Sequence, residues 1–188
     1  MRVRLIIAAV TTLAVGAAAA IGVAAWDRSG DPGALTRQEY PAGERPPAPP
    51  IGGETLDGDH VDLADLRGDV VVVNVWGSWC GPCRAEMPEF EEVYQATRDE
   101  GVSFVGVNIR DERDQAISFA ASRVTYPSIF DPRSEYGLGF AEEPPRPPSV
   151  PATLVVDRDG NVAAYLYRPV RRTELERIVT GLAAEEAS

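Results

Sequence analysis

The hydrophobic pattern of the chain changes period several times, and each change predicts an element. Val70-Val71-Val72-Val73-Asn74-Val75-Trp76 is a nearly continuous β-branched run ending at Gly77, the pattern of a strand buried on both faces. Apolar residues then recur at helical spacing, at Cys83, Met87, Phe90 and Tyr94, so a helix is expected from Cys80 or Gly81 to about Glu100. A second strand follows over Val102–Asn108, then a weaker helix around Glu112–Arg123, a short strand at Ser128–Phe130 and a turn over Pro132–Gly137. Upstream, Leu56-Asp57-Gly58-Asp59-His60-Val61 reads as a hairpin around an Asp-Gly turn. Asp62–Leu66 reads as a helical turn stopped by Gly68. Downstream, Ala152–Asp157 and Val162–Tyr167 flank Asp159-Gly160 as antiparallel partners. Thr173-x-x-Glu176 reads as a capping box. It opens a last helix whose buried stripe is Leu175, Ile178, Val179 and Leu182. The order predicts an α/β fold, a central mixed sheet flanked by helices, with the first β–α–β crossover right-handed and its strands parallel.

Two stretches fall outside this pattern. Leu5 to Ala25 carries no charge and follows Arg2 and Arg4; as a helix it would span roughly 31 Å, enough for a bilayer core. Residues 1–26 are therefore expected to be an N-terminal membrane anchor or, given Val23-Ala24-Ala25, a cleaved signal peptide. The flanking charges place the N-terminus inside and the rest outside. Residues 27–50 contain Pro32, Pro41, Pro46, Pro47, Pro49 and Pro50 and are expected to be a semi-extended tether, leaving 51–188 as the folded domain. A second proline cluster, Phe140 to Pro151, cannot be helix or central strand.

Charge and composition narrow the function. The net charge is −11 and all 18 basic residues are Arg. An acidic chain without a basic stripe is a poor nucleic-acid binder. Cys80 and Cys83 are the only cysteines and His60 the only histidine, short of the four protein ligands a closed zinc site needs. No metal and no cofactor are expected, and His60 is assigned no role.

Cys80-Gly81-Pro82-Cys83 stands where the buried strand gives way to the helix. Backbone N–H groups and the helix dipole stabilise an anion there, and a thiolate is what thiol–disulfide exchange needs. Cys80, capping the helix, is expected to attack; Cys83, one turn in, to resolve the mixed disulfide. Pro82 is tolerated because its missing N–H has no intrahelical partner in the first turn. The bland alternative, an inert pair in a small-residue turn, fits the spacing and position poorly.

Trp76-Gly77-Ser78-Trp79-Cys80-Gly81-Pro82-Cys83-Arg84-Ala85-Glu86-Met87-Pro88, with Val150-Pro151-Ala152-Thr153 downstream, resembles the thioredoxin-fold proteins, and most the extracytoplasmic TlpA/ResA branch. The resemblance covers about Ile51 to Leu182. It implies a kinking Pro88, a cis-Pro151 facing the disulfide, and a Val150 backbone free to pair with an extended substrate. Trp79 would shield the sulfur and offer an apolar surface, while Trp76 is core. Cytoplasmic thioredoxins carry a buried Asp where this chain has Asn74, so the resemblance gives Glu86 the role of tuning the thiols; a solvated helix-dipole acid is its alternative. The long separation between Cys83 and Pro151 implies an inserted helix and strand.

The function implied is an exported oxidoreductase, favouring reduction of protein disulfides because its Gly-Pro dipeptide matches reducing thioredoxins. Its implied partners are a membrane thiol-electron carrier and a Cys-x-x-Cys protein such as apocytochrome c. A peroxiredoxin-like peroxidase would need Thr or Pro where Trp79 stands, and a copper- or haem-delivery module would need more Met, His or Cys. Phe140 to Ser149, with Glu142 and Glu143, is either a groove wall favouring basic partners or a solvent-exposed insertion.

Overall fold

Val70–Trp76, buried along its whole length, is strand β4 of a six-stranded sheet in a computed structural model describing residues 37–136 and 150–185. The strands are β1 (Arg37–Glu39), β2 (Gly52–Glu54), β3 (His60–Asp62), β4, β5 (Val102–Ile109), β6 (Ser128–Asp131), β7 (Ala152–Val156) and β8 (Val162–Leu166). The main sheet runs β1-β8-β7-β4-β5-β6, and β2 and β3 form a separate hairpin. β4, β5 and β6 are parallel, while β7, β8 and β1 are added antiparallel. The mixed sheet expected from the sequence is therefore present, with the inserted helix and strand between β5 and β7.

Period-2 alternation sorts β4 onto two cores. Val70, Val72 and Trp76 face helix α1 (Gly81–Thr97), helix α2 (Arg113–Ala120) and helix α3 (Arg172–Ala183), packing with Met87, Phe90, Phe119, Leu175 and Val179. Val71, Val73 and Val75 face the other way, with Ile51, Ile109, Ile129 and Leu154. Gly106 on β5 lets two aromatic-side groups meet. A Cβ there would lie 2.1 Å from Ser128 Oγ and 2.8 Å from the Trp76 indole nitrogen, where the indole N–H donates to Ser128 Oγ at 3.3 Å.

Two expectations need correction. The tether expected over 27–50 is not what the described part of that stretch forms: β1 pairs with β8, and Tyr40 and Ala48 pack on the second core. Proline is excluded from central strands but not from a sheet edge, and Arg45 pins the segment through Asp157 (3.1 Å) and Glu185 (2.7 Å). The capping box at Thr173 is also not formed. α3 begins at Arg172 with Arg171 at the N-cap position and no side-chain cap of its own. The Arg172 N–H donates instead to Glu89 Oε2 of α1, at 2.6 Å. A carboxylate from the neighbouring helix supplies the acceptor, and Thr173 lies two residues past the N-cap position, too far in to do so.

The remaining elements match to within a residue or three. α1 is continuous through Pro88 and passes into a 3-10 turn, Arg98–Glu100, stopped by Gly101 at φ 77°. The weak helix is shorter than expected, 113–120. The expected anchor or signal at 1–26, and the segment 137–149 with Glu142 and Glu143, lie outside the described residues. Among the described residues no helix is long and apolar enough to cross a membrane.

The cap on α3 is testable. Glu89→Ala should lower the unfolding free energy by about 1 kcal/mol, the usual worth of a cap, in urea titrations of the oxidised protein. Thr173→Ala should stay within about 0.5 kcal/mol of wild type. The opposite ranking would restore Thr173 as the cap.

Candidate active site

β4 ends at Trp76, and the chain turns through Gly77-Ser78-Trp79 into α1. Cys80 is the N-cap residue, in extended conformation, and its Sγ accepts from the Cys83 N–H at 3.2 Å. The two cysteines are joined, with S–S 2.00 Å and Cα–Cα 5.3 Å. Cys80 is 4 % exposed and Cys83 not at all. Both sulfurs belong to buried residues, and Cys80 is the less buried of the two. A nucleophile arriving from solvent meets Cys80 first, at the positive end of the α1 dipole.

Glu86 lies one turn along α1, on the side of Cys83, and is 3 % exposed. It is not a solvated helix-dipole acid. Its Oε1 accepts from Asn74 Nδ2 at 3.3 Å and its Oε2 from the Val170 N–H at 3.0 Å. Burial pushes its pKa up to about 7; the Val170 and Asn74 hydrogen bonds hold it down, and Glu89 adds a smaller upward push. Tyr126, buried and raised well above the usual phenol range chiefly by desolvation, also feels the Glu86 charge. Asn74 is thus not a vacancy left by a missing Asp. It is the β4 group that donates to the Glu86 carboxyl.

Val150-Pro151 is a cis peptide, as expected, and Pro151 is buried. β7 begins at once, and its Ala152 stands opposite Val75 of β4. Register alone therefore brings Val150-Pro151 beside the end of β4, from which the Cys80 loop departs. Val150 packs against the core that contains both sulfurs. Trp79 is 51 % exposed, whereas Trp76 is fully buried, so the division between surface and core indole holds.

The sequence reading passed over the residues that fix this loop. Asp111, just after β5, accepts from the Ser78 N–H (2.6 Å), the Ser78 hydroxyl (2.8 Å), Asn108 Nδ2 (2.9 Å) and the Glu112 N–H (3.0 Å). The Trp79 indole N–H donates to the Ile109 carbonyl at 3.3 Å. A Cβ on Gly77 would come within 2.6 Å of that indole, which explains the glycine. Arg110, at φ 49°, lays its guanidinium 5.1 Å from the Trp79 ring centre. The available signal was the parallel β4–β5 pairing, which puts the ends of both strands on one edge.

This arrangement supports a two-electron exchange between Cys80–Cys83 and an external dithiol or disulfide, with a buried carboxyl on the Cys83 side of the same helix. Comparison with known proteins agrees. The Redoxin family profile matches residues 41–182. The thiol-disulfide oxidoreductase ResA of Geobacillus kaustophilus is 29 % identical over 123 residues, 65 % of this chain and 68 % of that protein. A secreted thiol-disulfide isomerase from Corynebacterium glutamicum superposes with a TM-score of 0.76 at 29 % identity, covering 83 % of this chain and 96 % of the other. A DsbF homologue from Corynebacterium diphtheriae is 37 % identical with a TM-score of 0.70, covering 81 % and 97 %. The chain therefore belongs to the Redoxin family, as a thioredoxin-fold, TlpA/ResA-like thiol–disulfide oxidoreductase.

Proposed function

We propose that this oxidoreductase works outside the cytoplasm as a reductant of protein disulfides, with Cys-x-x-Cys proteins such as apocytochrome c as its targets. The observation that carries the reading is the buried Glu86 carboxyl, which titrates near neutrality on the side of α1 that holds Cys83. In the reduced protein the Cys80 thiolate attacks one sulfur of the target disulfide; the second target sulfur leaves as a thiolate and takes up a proton. Cys83 gives its proton to the Glu86 carboxylate and attacks Cys80 Sγ, releasing the first target sulfur, which is protonated in turn. Two electrons and two protons pass to the target, and Cys80–Cys83 is left as the disulfide. A membrane dithiol carrier would return the electrons, because no glutathione or thioredoxin pool maintains thiols outside the membrane.

The target segment would lie extended along Val150, with Pro151 keeping that backbone clear and Trp79 covering the exposed side of Cys80. The uncharged run Leu5–Ala25 supports export, by anchor or by cleaved signal. The secreted relative from Corynebacterium glutamicum supports the same location.

Trapping tests the assignment. Cys83→Ser should accumulate mixed disulfides through Cys80 with Cys-x-x-Cys proteins in cells, and Cys80→Ser should abolish insulin reduction. Adducts forming on Cys83 in the Cys80→Ser protein would reverse the roles of the two sulfurs. Targets that accumulate as dithiols in cells lacking this protein would reverse the direction.

Glu86 makes a second prediction with a definite sign. Its pKa is raised on folding, so the native state binds the extra proton between about pH 4.5 and 7. The stability linked to this group is complete below about 4.5 and is lost as pH rises through about 7. The difference in unfolding free energy between wild type and Glu86→Gln should therefore shift by on the order of 3 kcal/mol across that window, in favour of the variant at higher pH. In the reduced protein, removing the carboxylate should move the alkylation midpoint of the thiols to lower pH. Profiles that coincide from pH ~5 to ~10 would reduce Glu86 to a structural residue.

A further inference from the structure

The chain is strongly acidic, yet among the described residues several arginines near its disulfide have no carboxylate partner. Most arginines in the described residues are held by carboxylates. Those without a carboxylate within ion-pair reach among the described residues are Arg67, Arg84, Arg110, Arg123 and Arg158. Arg67 and Arg158 donate to the carbonyls of Asp159 and Glu185, away from the disulfide. The other three stand around Cys80.

Arg84 follows Cys83 on the exposed side of α1, 5.0 Å from the centre of the Phe119 ring, and reaches only the Ser78 carbonyl, at 3.5 Å. Arg123 lies 4.1 Å from the same ring centre and donates to the Phe119 carbonyl and the Ser122 hydroxyl. Arg110 is exposed, stacked on Trp79, and makes no hydrogen bond among the described residues. A guanidinium held flat on an aromatic ring loses little further freedom when it meets a carboxylate, and it keeps its charge at every relevant pH. None of the neighbouring carboxylates lies within ion-pair reach of these three groups. Asp111 is occupied by Ser78 and Asn108, Glu89 by Arg171 and Arg172, and the exposed Glu112 and Asp114 pair with none of the three.

We propose that Arg84 and Arg110, supported by Arg123, form a cationic rim that selects protein partners with Asp or Glu flanking the reacting cysteine. The proposal rests on exchange with protein thiols but not on its direction. Two ends of one docked strand would meet the rim, one beside Trp79 and the other over the first turn of α1. The net charge of −11 opposes the approach of an acidic protein at long range. At physiological salt that repulsion is screened beyond about 8 Å, and the contacts at the rim decide.

Three peptides of equal length, each with one cystine flanked by Glu, Gln or Arg, provide the test. Exchange rates are measured in both directions, reduced protein with oxidised peptide and the reverse, at physiological salt. The Glu peptide should react about fivefold faster than the Gln peptide, the size two exposed ion pairs provide, and the Arg peptide slowest. In R84Q/R110Q the ratio of Glu to Gln rates should fall to about one, while R84K/R110K should retain most of it. A ratio that survives R84Q/R110Q, or a wild-type preference for the Arg peptide, overturns the rim. The latter result would favour a wall formed by Glu142 and Glu143. A ranking seen only with oxidised protein and reduced peptide would keep the rim and refute the reductant reading.

Discussion

A carboxyl group buried under a helix joins three parts of this molecule. Glu86 projects from α1, meets Asn74 in the middle of β4, and accepts the N–H of Val170, which leads into α3. An ionised carboxylate so enclosed is costly, because two hydrogen bonds do not replace a hydration shell. A neutral one leaves the Asn74 and Val170 donors less strongly matched. The balance falls near neutral pH, so the protonation of one side chain and the packing of α1 on the sheet are coupled.

The outer sulfur is controlled by different means. Cys80 owes its place to the loop before it, and that loop is bound to the end of β5 by Asp111, Ile109 and the Trp79 indole. The two strands that carry these groups are adjacent and parallel, so their carboxyl ends meet on one edge of the sheet. β7 runs antiparallel to β4 and delivers Val150-Pro151 to that edge from the other side. Strand direction assembles the site from segments far apart in sequence.

This explains what could be read from the sequence. Continuous burial made β4 legible, and the helical recurrence of Met87 and Phe90 made α1 legible, because both signals are local. Cys80 and Cys83 were legible because the chemistry lies in their spacing at a strand–helix junction. Glu86 could be singled out only with the absent Asp in view; nothing local says that it is buried. Asp111 carried no local signal; only the parallel pairing of β4 with β5 brings it to Ser78. The cap of α3 misled for the same reason: Thr173 and Glu176 fit the local pattern, but Glu89 of another helix stands closer to the orphan N–H. Proline content over 41–50 suggested a tether, yet prolines lower the entropy lost on ordering as well as barring a central strand. Arg45 and the β1 edge complete that segment's docking.

The cation inventory gives the site its pH behaviour. Every basic side chain is Arg, and arginine does not lose its proton in proteins. The ion pairs that fasten β1 and α3 therefore keep their positive partner at any pH at which the fold persists. Glu174, beside Arg168, is held below the usual carboxylate range by that guanidinium group, so this pair keeps both its charges near neutrality. The exposed His60 stands on the β2–β3 hairpin, a sheet separate from the one that carries β4 and the Cys80 loop. Glu86 is different: its carboxyl lies on the side of α1 that holds Cys83, and burial raises its pKa to about 7. In the exchange proposed above, this one buried side chain takes the proton of Cys83, so the proton balance does not depend on the many exposed carboxylates of an acidic chain.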